Sequence, residues 1–261
     1  YESFARNGAN LSPEDKETYS KYIEELSLLS LQFSKNVLAA TNGFTLNITE
    51  ESDLAGLPDY VINQAAEAAK EKSMNGWLFN LTAPSYGPFM KFSEKRDLRE
   101  KMYRQYNTRA FGGELDNSTT IKRIAELRIK VANLLGYNNF AEYKTERRMA
   151  KSPADVNTFL DKLLKPALPK AQQEVRELNK YAKEHGFTDE EIMPWDFSYY
   201  AEKLRIERYD LSDEQLKPYF QLENCINAIF DLAHRLYGIT FNELHDIPVY
   251  HKDVKVYDVR D

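Results

Sequence analysis

The chain has 261 residues, enough for one large domain or two small ones, with the 42% hydrophobic and 29% charged content of a soluble globular protein. A net charge of −6, with no basic cluster interleaved with aromatics, argues against nucleic acid as a partner. No apolar run approaches the roughly 18 residues that span a bilayer, and the single cysteine, Cys225, excludes an internal disulfide.

The chain opens on Tyr1, with neither an initiator Met nor a secretory leader, so we expect it to have been processed or cut from something longer. Ser12-Pro13-Glu14-Asp15 starts a helix: Ser at the cap, Pro in the first turn, acids at the positive end of the dipole. Tyr19, Tyr22, Ile23, Leu26, Leu29, Phe33 and Val37 then recur every three or four residues until Asn42-Gly43. Residues 44–48 alternate and predict a short strand. Leu57-Pro58 opens a second helix, with Val61, Ile62, Ala65, Ala66 and Ala69 inward. Residues 76–81 predict a second strand, closed by a turn at Pro84 and Gly87-Pro88. The two strands can pair only if they lean on helices, since a lone ribbon is marginal.

From Ser93 onward the pattern is helical. Leu98, Met102 and Tyr106 carry one face; Ile121, Ile124, Ala125, Val131 and Leu135 carry the next, ended by Gly136. A short helix follows over 140–149. Ser152-Pro153-Ala154-Asp155 repeats the earlier start. The register of Val156, Phe159, Leu160, Leu163, Ala167, Ala171, Val175, Leu178 and Ala182 then holds to Gly186. Pro166 and Pro169 fall inside it and predict a bend or break. Ser212-Asp213-Glu214-Gln215 reads as a capping box. Leu222, Ile226, Ile229, Ala233 and Leu236 form the last stripe, ended by Gly238. Residues 247–250 and 254–259 are β-like, with only the weak strand candidates at Phe44 and Trp77 to pair with, so we expect the tail from about Val249 to be disordered, or ordered only by pairing with the same segment of a neighbouring molecule. No fixed repeat period is visible.

Between the helices lies Met193-Pro194-Trp195-Asp196-Phe197-Ser198-Tyr199-Tyr200. Asp196 is placed to cap the following helix. Four large rings in six residues cannot all face water. Trp195, Tyr199 and Tyr200 either pack several helices together or line a cleft, and they are the candidate substrate-contacting residues.

No catalytic or metal-ligating set emerges. A helical zinc peptidase needs His at i and i+4 with a Glu between them. None of the four histidines, His185, His234, His245 and His251, has such a partner. His245 and His251, with Asp246 and Asp253, read as a polar loop; His185 precedes Gly186 at a helix C-terminus, where the dipole favours a cation. Cys225 sits on or beside an apolar stripe, as an inert thiol does. Gly112-Gly113 lacks the Lys-Ser/Thr of a phosphate loop and reads as a turn. The glycosylation triplets at Asn47, Asn80 and Asn117 are at the frequency chance supplies.

Several segments resemble the thimet oligopeptidase and peptidyl-dipeptidase family of zinc metallopeptidases. They are Leu57-Pro58-Asp59, Ala83-Pro84-Ser85-Tyr86 with Pro88-Phe89-Met90, Leu98-Arg99 through Tyr103 to Arg109, and Leu134-Leu135-Gly136-Tyr137 with Ala141-Glu142-Tyr143. Further along they are Arg148-Met149-Ala150-Lys151, the run from Trp195-Asp196 through Tyr209 to Pro218-Tyr219-Phe220, Leu236-Tyr237-Gly238-Ile239-Thr240-Phe241, and Val249-Tyr250-His251-Lys252-Asp253-Val254. The resemblance implies a mainly α fold, a multi-helix body with one or two short β-strand pairs. It divides the chain into a helical wall over 1–245 and the truncated start of a catalytic-domain sheet over 246–261. It implies cleavage of short peptides, with release of C-terminal dipeptides in the peptidyl-dipeptidase branch. Zinc is expected in the full-length parent and none in this chain, because the family's HExxH has no counterpart here. On that basis the chain itself is expected to be inactive, and its missing partner is the catalytic half of the same polypeptide. A stand-alone helical binding module is the alternative. The compartment stays open between cytoplasm and periplasm.

Overall fold

A computed structural model of the chain describes residues 1–210 and 213–261, without the side chains of 213, 214 and 217. Two compact units are present, Tyr1–Leu204 and Arg205–Asp261. Helix dominates both, as expected from the periodicity.

In the first unit a short helix α1 (Glu2–Phe4) precedes α2 (Pro13–Gly43). The Ser12 hydroxyl accepts from the Asp15 N–H at 3.1 Å, the cap the sequence predicts. Strand β1 (Thr45–Ile48) pairs antiparallel with β2 (Trp77–Asn80), and α3 (Asp59–Glu71) connects them. Gly76, just before β2, has φ +94 and lies so close to the Ile48 carbonyl that a Cβ would sit 2.1 Å from its oxygen. Any side chain there would push the ribbon apart. Leu46, Ile48, Val61, Phe79, Phe89 and Met102 form the main core around this ribbon. Each fully buried side chain of this size contributes about 1.5–3 kcal/mol.

The turn expected at Pro84 and Gly87-Pro88 is instead helix α4 (Ala83–Phe92). Pro84 lies in its first turn, where the missing N–H costs nothing. Burial of Phe89 and Met90 outweighs the break that Pro88 would otherwise cause. Next come α5 (Arg96–Asn107), α6 (Ser118–Leu134) and the short α7 (Phe140–Thr145). An amide ladder joins α2 to the start of α6: Asn36 donates to Asn117 at 3.0 Å, and Asn117 donates to the Phe33 carbonyl at 3.1 Å. The Asn117 of the glycosylation triplet is therefore a buried structural residue.

Of the bend or break expected at Pro166 and Pro169, the break does not occur. Helix α8 runs unbroken from Pro153 to Glu184. An internal proline disfavours helix by about 3 kcal/mol, so the remaining bonds of a helix this long carry two such interruptions. Its stripe is buried only at the C-terminal end, at Leu178, Tyr181 and Ala182; every residue from 157 to 176 is exposed. Helix α9 (Pro194–Tyr209) completes the unit and continues past its edge.

The second unit holds α10 (Asp213–Leu216), α11 (Leu222–Tyr237), β3 (Thr240–Leu244) and β4 (Val256–Arg260). The capping box expected at Ser212 lies outside the described residues. The expectation of a tail that is disordered or paired only with a neighbouring molecule is overturned: β4 pairs antiparallel with β3 of the same chain, Thr240 opposite Arg260 and Leu244 opposite Val256. Gly238, at φ +78, ends α11 and lets the chain turn straight into β3. Phe230 on α11 stacks on Phe241 at 4.2 Å and meets Tyr257 edge-on at 4.9 Å, so three rings tie helix to hairpin. The stripe of α11 is otherwise open, with Leu222, Ile229 and Leu236 exposed, and no described side chain of this unit is fully buried.

Candidate functional site

Helix α9 begins at Pro194, three residues earlier than a cap at Asp196 requires. Asp196 is its third residue, and its carboxylate reaches back to accept from the Met193 N–H at 3.1 Å. That carboxylate is wholly buried and is the centre of an ion network. Arg96 donates from Nε to both oxygens at 3.0 Å and from Nη2 at 2.9 Å. Arg99 donates from Nη2 at 2.8 Å. The remaining Arg99 donors go to backbone: Nε to the Trp195 carbonyl at 3.1 Å and Nη1 to the Ser93 carbonyl at 2.7 Å. The hydrogen bond to Asp196 raises the Arg96 pKa from its ordinary value, and Arg96 also meets Asp189 at 3.0 Å. The network pins α5 to α9 through charges that are compensated on the spot.

The three candidate aromatics separate into two clusters. Trp195, 6% exposed, joins the main core beside the β1–β2 ribbon. Its ring meets Tyr103 edge-on at 6.0 Å and carries the Arg104 guanidinium at 4.8 Å. Its indole Nε1 is buried and has no acceptor among the described residues. Tyr200 is buried with Leu178, Tyr181 and Ala182 of α8, and Phe187 meets it edge-on at 5.7 Å. Burial raises the Tyr200 pKa above its ordinary value. Tyr199 is half-buried between Arg99 at 4.2 Å and Lys203 at 4.8 Å. Phe197, the fourth ring, is exposed. The structure thus separates Trp195 from Tyr200 and leaves Tyr199 partly open.

Arg96 and Arg99 are what sequence reasoning passed over. Their spacing of three puts both guanidinium groups on one side of α5, a signal that would have found them once Asp196 was read as a buried acid rather than a cap. Nothing in this cluster is a poised nucleophile or general base. Every formal charge at its centre is held by an opposite one.

The histidines do not converge either. His185 Nδ1 lies 2.8 Å from the Tyr181 carbonyl, and His234 Nδ1 lies 3.2 Å from the Ile239 carbonyl. His245 faces Glu243 at 3.8 Å and His251 faces Asp253 at 3.6 Å. Among the described residues no group of three His, Cys, Asp or Glu side chains could hold a metal ion. A cleft of about 930 Å³ opens between α11 and the β3–β4 hairpin, its lining including Ile226, Phe230, Glu243, His245 and Lys255. Lys255 and His245 both face Glu243, at 3.9 and 3.8 Å, so the Glu243 carboxylate in this lining has a cation beside it.

The family is decided by comparison with known proteins. A model of peptidase family M3 matches residues 89–261. The chain belongs to peptidase family M3. It is 40% identical to oligopeptidase A of Salmonella typhimurium over 263 residues, which covers 99% of this chain and 38% of that protein. It is 35% identical to dipeptidyl carboxypeptidase of Escherichia coli over 266 residues, covering 100% of this chain and 39% of that protein. It is 26% identical to saccharolysin of Saccharomyces cerevisiae over 265 residues, 98% of this chain and 36% of that protein. The chain therefore spans under two-fifths of the length of these relatives.

Proposed function

We propose that this chain is a helical portion of a zinc-dependent oligopeptidase acting on short peptides, and that it supplies wall and scaffold while the reacting groups lie elsewhere in a longer polypeptide. The observation that carries this reading is the agreement with oligopeptidase A and dipeptidyl carboxypeptidase along nearly the whole chain but under two-fifths of theirs. A zinc ion needs three or four converging nitrogen, sulfur or oxygen ligands. The described residues offer no such group, so they do not fit the ion, and no step of peptide hydrolysis is assigned to them.

Within this reading the Arg96–Asp196–Arg99 network holds α5 and α9 in a fixed relation. Tyr199, half-open and backed by Arg99, is the ring of the three best placed to meet a peptide. Tyr200 meets it edge-on at 5.1 Å, while Trp195 packs apart from it in the main core. Release of C-terminal dipeptides is the finer form of the proposal, in keeping with the likeness to dipeptidyl carboxypeptidase. The division into a wall over 1–245 and the beginning of a catalytic sheet over 246–261 belongs to it as well.

The test compares two proteins: this 261-residue chain, and the polypeptide extended to the length of its relatives. The extended form should bind about one zinc per chain and hydrolyse short peptides, losing activity with a chelator. The short chain should do neither. Mass spectrometry of the products then tells dipeptide release from internal cleavage. Stoichiometric zinc with chelator-sensitive hydrolysis in the short chain would overturn the proposal.

A further inference from the structure

Helix α7 ends at Thr145 and α8 starts at Pro153, and the chain between them runs Glu146-Arg147-Arg148-Met149-Ala150-Lys151-Ser152 in turns and bends. Glu146 through Met149 and Lys151 are exposed, Met149 completely so. The backbone bonds here are local turn bonds. The Arg148 N–H donates to the Thr145 carbonyl at 2.8 Å, Lys151 to Arg148 at 3.0 Å, and Ser152 to Ala150 at 2.7 Å. Lys151 has φ 61°, in the left-handed region where a Cβ is strained, so opening the turn relieves it. The helices on either side are firmly capped, by Asn139 at 2.9 Å and by Ser152 at 3.1 Å.

An endopeptidase takes its substrate as an extended strand, so a scissile bond must leave its turn before it is cut. In a helix that means unwinding successive i to i−4 bonds; in this loop it means opening three turn bonds. Exposed connections of this kind are where nicking concentrates. An enzyme whose specificity pocket holds a carboxylate selects Lys or Arg, and the loop offers three such residues. Arg147 is engaged by Glu2. The Arg148 and Lys151 side chains have no ion pair or hydrogen bond among the described residues. Basic residues outside the helices elsewhere are less available. Lys95 pairs with Asp53 at 3.0 Å, and Arg109 donates to Thr41 at 3.0 Å. Lys217 precedes Pro218 and Lys252 precedes Asp253, neighbours that such enzymes disfavour.

We propose that the Arg148–Met149 bond is a processing site for a trypsin-like endopeptidase, and that the chain cut there stays together as a folded two-piece body. Hydrolysis adds water across the amide: the Arg148 carbonyl carbon gains the oxygen and becomes a carboxylate, and the Met149 nitrogen leaves as an ammonium group. The pieces stay joined because buried contacts of the first unit cross the cut. Arg96 and Arg99 lie before it and Asp196 after it, in contact at 2.9 and 2.8 Å. Trp195, from the second piece, is buried in a core with Leu46, Phe79 and Met102 of the first. Neither half of the proposal depends on what the longer protein catalyses.

Limited digestion of the 261-residue chain with trypsin tests it. Intact mass of the first products should show a fragment ending at Arg148 and its complement beginning at Met149; a dominant first cut at any other bond would overturn the assignment. The triple variant R147Q, R148Q, K151Q should lose intact chain at least ~10-fold more slowly, with unchanged thermal melting. Loss at the parent's rate would overturn the proposal, since cutting would then follow opening elsewhere. The masses from the unsubstituted chain decide the matter if the variant folds poorly. On gel filtration the nicked protein should elute with the intact one and separate only in denaturant. Two peaks without denaturant would overturn the two-piece body.

Discussion

Arg99 and Asp196 meet at 2.8 Å with 2% and 0% of their side chains exposed, joining helices that begin nearly a hundred residues apart. Removing one partner of a buried pair costs far more than the pair contributes, because the other charge is left without water or counterion. Asp196→Asn keeps the shape and deletes the charge. We expect it to lower stability in urea by about 3–5 kcal/mol. A loss under about 1 kcal/mol would show that Arg99 is answered by its backbone acceptors alone.

Trp195 is bound to the main core by its ring and to Arg99 through its carbonyl. Trp195→Ala should destabilise the fold by about 3–5 kcal/mol, the scale of a large buried aromatic. If that variant melts like the parent, yet in the extended polypeptide weakens peptide binding, then the ring works as a cleft wall.

Tyr86 lies against Tyr106 at 4.1 Å. Burial, aided by the neighbouring Tyr103 and Tyr106, pushes its pKa up to about 12 from 10.0. The folded state therefore favours the neutral phenol. Its contribution is intact below pH 10 and is lost as pH rises through about 12. Tyr86→Phe should lose less stability than the parent between pH 10 and about 12 in denaturant titrations, with equal behaviour at pH 8. Equal alkaline loss in both proteins would place the effect in other groups.

The β3–β4 hairpin is paired but stands on no fully buried side chain among the described residues of its unit. Its opening should cost little. Amides of β3 and β4 in this chain should exchange at least ~100-fold faster than those of β1 and β2, which are backed by Leu46, Ile48 and Phe79. Comparable protection in the two ribbons would mean that the rings of Phe230, Phe241 and Tyr257 suffice as a core.

Local rules made much of the fold legible. The starts at Ser12 and Ser152 were readable because a serine hydroxyl and the N–H three residues on belong to one turn, as the 3.1 Å bonds to Asp15 and Asp155 show. The β1 and β2 segments were readable from alternation and flanking turns. Their pairing followed because the helices beside them supplied a face to lean on.

The misjudged segments were those settled at a distance. Helix α4 exists despite Gly87 and Pro88 because Phe89 and Met90 are buried by the main core. Strand β3 has little pattern of its own beyond Thr240, Phe241 and Leu244, and is a strand because β4 returns beside it. At the candidate site, the sequence by itself determined that four rings and an acid fall within one stretch. Only the tertiary structure decided that Trp195 and Tyr200 enter different clusters and that Asp196 receives two guanidinium groups. The Arg96–Asp196 and Arg99–Asp196 contacts join residues about a hundred positions apart, where neither periodicity nor capping carries information, and burial and charge compensation alone select the partner.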